Sequence, residues 1–577
     1  MQKKILFIIL SFIIFQKSSG QEAIAKLKFG DAEEAYENGD YVTALSKLDD
    51  AETILGEKNI QKILYLRIMA QHKLLENNND EINLEQIAML RDNCKIYLEA
   101  NEHNEKIVEK YKDVYKTQEV YKAYEPFDKI VMEANKGNTK SMVELGKIYW
   151  RSLENSKKAK DWLLQAKQKE VAAIRILGQI EREGDEANNV ESDYKKSLDY
   201  LLEASKKGDP IAIYNASQFY EFPKRFDNII PQDTILAKKY YDKSFKEGLK
   251  LAEEGNDEMM NLLGILYASK KTIEYDKKKS FSWYSKAAEK NNILSIRTLA
   301  RAYQYGGYEE TPKNIEKAIF YYEMAVKNGD FKSMESLAYI YGNTEPVNHK
   351  KSLEWYQKAA DNGLAFSMYK VAEAYSSGKN DITPDSKAIT WATKAAKKGN
   401  SDAMLLLANC YYEGWNVTKN FDTAKDWYEK SATKKNRLAC LTLARLYLSE
   451  LEGFSKDYNK ALQWYLQGVE LHDDDCLYEI PFVYLELKQY DKALLYFTKG
   501  ADKGFRGSLY EIGELYYKGL GVQKNDEKAF SYFSQSAEKE WKPAMQMLAV
   551  LYKNGDGVKK DKKLAAEWLA KAEKIQN

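Results

Sequence analysis

Hydrophobic positions along this chain follow a helical period, and the whole pattern restarts every few dozen residues. One element runs small-x-x-x-Leu-small-x-x-Tyr, as in Ala403…Leu407-Ala408…Tyr411, Ser508…Ile512-Gly513…Tyr516 and Ala544…Leu548-Ala549…Tyr552. Its first, fifth and ninth positions share one face of an α-helix. A second amphipathic element follows, K-A-x-x-W-Y-x-K-A-A, with its own Ala/aromatic stripe. Its aromatic anchor recurs at Trp162, Tyr200, Tyr240, Trp283, Tyr321, Trp355, Trp391, Trp427, Trp464, Tyr496, Tyr532 and Trp568, in steps of 32 to 43 residues. Each repeat is therefore predicted to be two helices joined by a short loop. A helix pair alone cannot bury its stripe, so successive pairs must stack.

The joining loop is glycine-rich, as in Gly519-Leu520-Gly521-Val522. It lies between helices rather than between a strand and a helix. Lys524 is followed by Asn525, so no phosphate-binding GK[ST] is present, and the third glycine of a dinucleotide loop is missing. At 414–416 and 378–380 the pair becomes Gly-x-Asn, and asparagine is among the non-glycine residues best able to take positive φ. The loop is predicted to need two left-handed residues for chain reversal.

On these motifs the chain resembles the Sel-1-like repeat family of the tetratricopeptide superfamily, with about twelve copies over 138–577. The closing tyrosine is present in all copies but the second, which has Glu181. The tenth copy, "LKQYDKALLYFTKGADKG", has the shorter loop of the parent superfamily. The resemblance implies an all-α fold, a right-handed α-solenoid of antiparallel helix pairs with a long concave surface. Residues 32–52 look like an ordinary tetratricopeptide pair. The expected organisation is a signal peptide over 1–20, a tetratricopeptide-like helical region over 21–125 and the repeat solenoid over 126–577. Small residues at position 6, such as Gly146 and Gly264, are expected to let helices approach closely. Pro481 occupies that position in the tenth copy and predicts a kink or a repacked seam.

Composition changes the picture in three ways. Net charge is +1, so the global basic field of a nucleic-acid binder is missing. "MQKKILFIILSFIIFQKSSGQ" has the basic start, short apolar core and small-residue end of a secretory signal, with cleavage expected after Gly20. No other long apolar run exists, so the mature chain is expected in the periplasm or secreted, without membrane insertion. Of the four cysteines, Cys440 and Cys476 fall at matching levels of neighbouring helices, where either a bridge or buried free thiols fits.

In tetratricopeptide relatives, ligands contact the concave side of the first helix. Carried onto this sequence, that side is positions 3, 7 and 10 of the first element. These positions hold Arg175, Arg182, Arg297, Arg301 and Arg445, with Tyr214, Tyr339, Tyr369, Tyr412, Tyr478, Tyr510 and Tyr517. Tyrosine and arginine are the residue types that dominate interface hot spots. These residues are the expected binding groove for another protein or peptide, with the arginines favouring acidic or carboxylate-bearing partners. Packing between neighbouring first helices is the competing reading for the tyrosines.

Little else points to chemistry. "HDDDC" at 472–476 offers metal-ligand types but sits where aspartates cap a helix. Neither G-x-S-x-G nor H-E-x-x-H occurs, and no catalytic residue, metal or cofactor is expected. Some cysteine-rich relatives have been linked to penicillin binding. Only Cys476 fits their cysteine pattern, and the candidate partner positions hold Val469 and Ala501. The segment 221–233 reads as a binding flap or a tolerated insertion. The expected function is an exported, non-catalytic scaffold for protein–protein interaction, with a passive architectural subunit of an envelope complex as the alternative.

Overall fold

The computed structural model describes residues 21–575 apart from 56–59, 78–81, 103, 105–106, 185–190, 270–274, 307–311, 378–385 and 450–452. The expected signal peptide and the 378–380 loop lie outside the described residues. Among those described, the regular elements are helices, with no strand. They gather into two compact units, one holding the chain through residue 374, the other 375–377 and the chain beyond 384.

In the first unit the leading helices of six repeats are Thr139–Arg151, Val171–Glu183, Pro210–Glu221, Asp257–Ala268, Ile293–Tyr305 and Lys332–Asn343. Each packs against the helix that follows it. In the second unit the leading helices are Ser401–Glu413, Arg437–Leu448, Asp474–Glu486, Arg506–Lys518 and Lys542–Asn554, paired in the same way. The helix Ala365–Ser377 falls at the division.

The local chemistry follows the repeat. Asparagine or aspartate ends most loops and caps the next helix. Asn400 Oδ1 accepts from Ala403 N at 2.8 Å, and Asn420 Oδ1 from Thr423 N at 2.9 Å. Such a cap contributes about 1 kcal/mol. The loop glycines are left-handed as expected: Gly519 and Gly521 have φ of +68° and +71°. Gly414 and Asn416 show the same pair at +80° and +59°. A Cβ on Gly521 would sit 2.4 Å from Tyr490 Cβ and 3.0 Å from its backbone carbon, so this glycine also lets the loop lie against the preceding repeat.

The small residue at position 6 is where the paired helix comes closest. A Cβ on Gly264 would lie 2.5 Å from the Tyr284 ring, and one on Gly146 would lie 2.7 Å from Leu163 Cγ. Where the second helix carries serine in place of the first motif alanine, its hydroxyl donates to the carbonyl of the position-6 residue. Ser197, Ser280 and Ser352 do so to Gly178, Gly264 and Ala338, each at 2.7 Å.

The motif lysines have a physical role too. Lys430 and Lys571 sit 4.4 and 4.2 Å from the centroids of Trp427 and Trp568, one helical turn back. The lysine that opens the second element covers the closing tyrosine, as Lys317 covers Tyr303 at 5.1 Å and Lys528 covers Tyr516 at 5.2 Å. In the second repeat Glu181 replaces that tyrosine, and the same lysine, Lys196, pairs with its carboxylate at 2.7 Å. The departure from the motif thus exchanges a cation–ring contact for an ion pair.

Pro481 lies inside a helix that keeps its full 13 residues and is not broken there. The ring is buried where other copies put a small residue. The 221–233 segment is packed rather than free. Phe226 is buried and stacks on Phe219 at 4.1 Å between centroids, Tyr194 meets its edge, and Asp233 caps the next helix.

The first unit closes on itself. Tyr124 and Phe127, ahead of the first repeat, meet Phe331 edge-on at 5.7 and 5.9 Å. A Cβ on Gly363 would lie 2.6 Å from Ile82 Cδ1. Lys332 pairs with Glu154 of the first repeat at 2.9 Å. Segments far apart in sequence thereby enclose the faces of the leading helices.

Candidate interaction site in the first unit

The leading helices of the first five repeats, with the residues just before the sixth, surround a cavity of about 600 Å³. That volume falls within the usual span of ligand sites. An ion cluster crosses its interior. Glu258, on the fourth leading helix, accepts from Arg175 Nη2 of the second at 2.7 Å and from Lys147 Nζ of the first at 2.5 Å. Arg175 Nε also donates to Asp209 at 2.9 Å. Repeats that are not neighbours in the stack are thus tied through one carboxylate.

The charges explain one another. Burial alone would raise the Glu258 carboxyl, but Arg175 and Lys147 outweigh it and hold it down at about 2. Arg297 reaches buried Asp330 at 3.5 Å, and Ser333 also donates to that carboxylate. Arg151 differs from its neighbours. Among the described residues its guanidinium forms no ion pair or hydrogen bond, and its recorded contact is the face of Trp150 at 4.8 Å. Burial, then the nearby Arg175 and, more weakly, Arg297, push its pKa below the ordinary arginine range against the opposing pull of Glu258 and Glu183.

Of the expected groove residues in this unit, Arg175, Tyr214 and Arg297 line the cavity. Arg182 lies outside its lining, 3.9 Å from Glu183, with burial lowering its pKa. Arg301 is exposed, and Tyr339 is 48% exposed. Tyr369 donates its hydroxyl to Glu373 at 3.0 Å. Lys147 was part of the position-7 row but not singled out. Glu258 and Arg151 fall just outside the 3, 7, 10 window, one residue before position 1 and two after position 9. Extending the same face by a turn at each end would have found both.

Twelve segments of the chain, from 139–170 to 542–574, match the family model described as Sel1 repeat. The chain belongs to the Sel1 repeat family. Solved structures with a similar course include c5321, a protective antigen of uropathogenic Escherichia coli strains displaying an SLR fold. That likeness is 26% identical over 72% of this chain and 86% of the other, with a TM-score of 0.41. A Sel1 repeat protein from Oxalobacter formigenes is 24% identical over 40% of this chain and 94% of the other, with a TM-score of 0.35. Sel1 and related helical repeats generally bind other proteins, and the family is typically a non-catalytic scaffold.

In the second unit the Sel1 repeats use their tyrosines largely for packing. Tyr412 meets Phe421 at 5.5 Å and Phe454 at 6.4 Å, and Tyr478 meets Phe482 at 5.3 Å and Phe505 at 6.1 Å. Tyr510 lies 5.4 Å from Phe533, and Tyr517 donates to Asp556 at 3.1 Å in the next repeat. Arg445 pairs with Glu479 at 2.9 Å. All four cysteines are buried free thiols. Burial and the neighbouring Asp473 push the Cys476 thiol well up, which makes it a poor nucleophile. Within "HDDDC", Asp473 caps the helix through Cys476 N at 2.7 Å and pairs with Arg437. Among the described residues no group of three or more such side chains could hold a metal, and no helix is long and apolar enough to cross a membrane.

Proposed function

We propose that this Sel1-repeat chain is an exported, non-catalytic scaffold that binds another polypeptide on the concave faces of its leading helices. The observation that carries the reading is a contrast within the first unit. Arg175 and Arg297 are tied to internal carboxylates, while Arg301 and Tyr339, at the position 7 sites of the fifth and sixth repeats, remain exposed. Arginine and tyrosine left open at equivalent positions of successive leading helices are the side chains that anchor partners most effectively. The N-terminal "KKILFIILSFIIF" supports export, and the arginines support a partner with acidic side chains.

The test is capture of partners by the mature chain from the envelope fraction of its source, beside the variant Arg301→Glu/Tyr339→Ala. Loss of a partner with unchanged helicity supports the concave-face reading. Full retention of every partner by the variant points instead to a passive architectural role through other surfaces. Export is tested separately by mass spectrometry of the chain outside the cytoplasm. A mature N-terminus at Gln21 is expected, and an intact Met1 in the cytoplasm alone refutes it.

A further inference from the structure

The cavity of the first unit holds three polar groups without partners, and they come from three successive leading helices. Arg151, from the first repeat, forms no ion pair or hydrogen bond among the described residues, and the carboxylates of Glu258 and Glu183 act on it only from beyond contact distance. Gln179, from the second, is 7% exposed, and its Oε1 has no hydrogen-bond donor. Asn215, from the third, is 6% exposed, and its Nδ2 has no acceptor. All three line the same cavity. Buried polar groups are nearly always satisfied, so the two amide atoms need a cause, and Arg151, half-buried beside them, supplies a charge at the same cavity.

The neighbouring charges sharpen the contrast. Lys147, Arg175 and Arg297 each have an internal carboxylate, and Asp257 is held by Asn292 Nδ2 at 2.8 Å. The unmet set is therefore one contacting anion for Arg151, one donor for Gln179 and one acceptor for Asn215. A carboxylate next to an amide supplies all three at once, since the amide N–H donates and its C=O accepts. Apolar walls from Val143, Ile211 and Leu262 leave room for a short aliphatic side chain.

We propose that this cavity binds an acyl amino-acid terminus, a carboxylate with its adjoining amide, with Arg151 taking the carboxylate and Gln179 and Asn215 taking the amide. The group could be presented as the C-terminus of a partner polypeptide or as a free N-acyl amino acid. The proposal rests on the reading of this face as an interaction surface and specifies its chemistry.

Trp150, beside Arg151, provides a fluorescence reporter. The probes are N-acetyl-Ala-Ala with a free carboxylate, the same compound with a C-terminal amide, N-acetyl-alanine and sodium phosphate, titrated into the full mature chain. Saturable binding of the free acid, at least tenfold weaker binding of the amide, and loss of the difference in Arg151→Gln are expected. Lys238→Gln, an exposed change away from the cavity, should bind as the parent does. Arg151 makes no ion pair or hydrogen bond in the empty cavity, so Arg151→Gln should keep the parent's helicity and unfolding temperature, and lost binding is then not lost folding. Binding of N-acetyl-alanine as tightly as the dipeptide identifies the free ligand as sufficient, and stronger binding of the dipeptide favours a polypeptide terminus. Equal binding of acid and amide, equal competition by phosphate, undiminished binding in Arg151→Gln or no binding of any acid overturns the proposal. If partners are still captured from the envelope fraction in that case, only the cavity chemistry fails and the scaffold reading stands.

Discussion

Replacing Glu258 with glutamine should loosen the first unit at three repeats together. The carboxylate joins Lys147 and Arg175, whose helices lie two repeats and one repeat, respectively, beyond its neighbour in the stack. Its pKa is held at about 2, well below the 4.5 of the unperturbed group. At 1.36 kcal/mol per unit this corresponds to about 3 kcal/mol of stability. Breaking a buried pair from one side typically costs about 3–5 kcal/mol, and the Glu258 side chain keeps 28% of its surface exposed, so the lower end applies. Glutamine keeps the shape but removes the anion that Lys147 and Arg175 share, leaving Lys147 with Glu144 alone and Arg175 with Asp209 alone. Native-state hydrogen exchange reads the effect locally, which suits a repeat protein better than a single unfolding midpoint. At pH 7, amides in Thr139–Arg151, Val171–Glu183 and Asp257–Ala268 should lose about 3 kcal/mol of protection, while Lys542–Asn554 in the second unit should not change. Because the folded pKa is depressed, the stabilisation is complete above about pH 4.5 and is lost as pH falls towards 2. The gap between parent and variant should therefore narrow below pH 4. A loss under about 0.5 kcal/mol at pH 7, or a loss that does not change with pH, refutes the reasoning.

Further outcomes follow from the packing. Gly521→Ala combines strain at φ +71° with overlap onto Tyr490 and should cost about 2–4 kcal/mol, whereas Gly504→Ala, at φ +91° with open space, should cost only about 1 kcal/mol; urea denaturation of the two variants compares them. Leu407→Ala empties a fully buried stripe position and should cost about 2–5 kcal/mol by the same measurement. The four buried thiols should react with a disulfide reagent at pH 8 far more slowly in the folded chain than in urea, because burial raises their pKa values, to about 12 for Cys94 and about 11 for Cys440; fast labelling of the folded chain would contradict this.

The helix pairs, the two left-handed loop residues and the close approach at position 6 were legible because each is set by neighbours within one repeat. Tyr516 closing its helix and Gly519 ending it need no knowledge of distant chain. The ion cluster was not legible for the opposite reason. Lys147 and Glu258 meet only because the first unit curls, and curvature is a small rotation per repeat that no single motif encodes. The same closure hides the roles of Tyr124 and Phe127, whose partner Phe331 belongs to the far side of the unit. Tyr412, Tyr478 and Tyr510 share the arginines' positions in the pattern, yet their rings meet neighbouring aromatics, because a planar ring fills an inter-helix gap that a guanidinium does not. Pro481, where a kink or a repacked seam was expected, lies in a continuous helix, since one lost backbone hydrogen bond is small beside the burial on either side, at Ile480 and Val483. Arg151 escaped notice through its register alone.

The first unit closes so that its first repeat meets the sixth. A carbodiimide joins an amine to a carboxylate only where the two touch, and Lys332 lies 2.9 Å from Glu154. Cross-linking of the mature chain followed by peptide mass spectrometry should yield an intramolecular Glu154–Lys332 linkage. Pairs from adjacent elements, such as Lys196 with Glu181 at 2.7 Å, serve as the reference for yield. Recovery of the reference pair without any linkage between the first and sixth repeats would contradict the account.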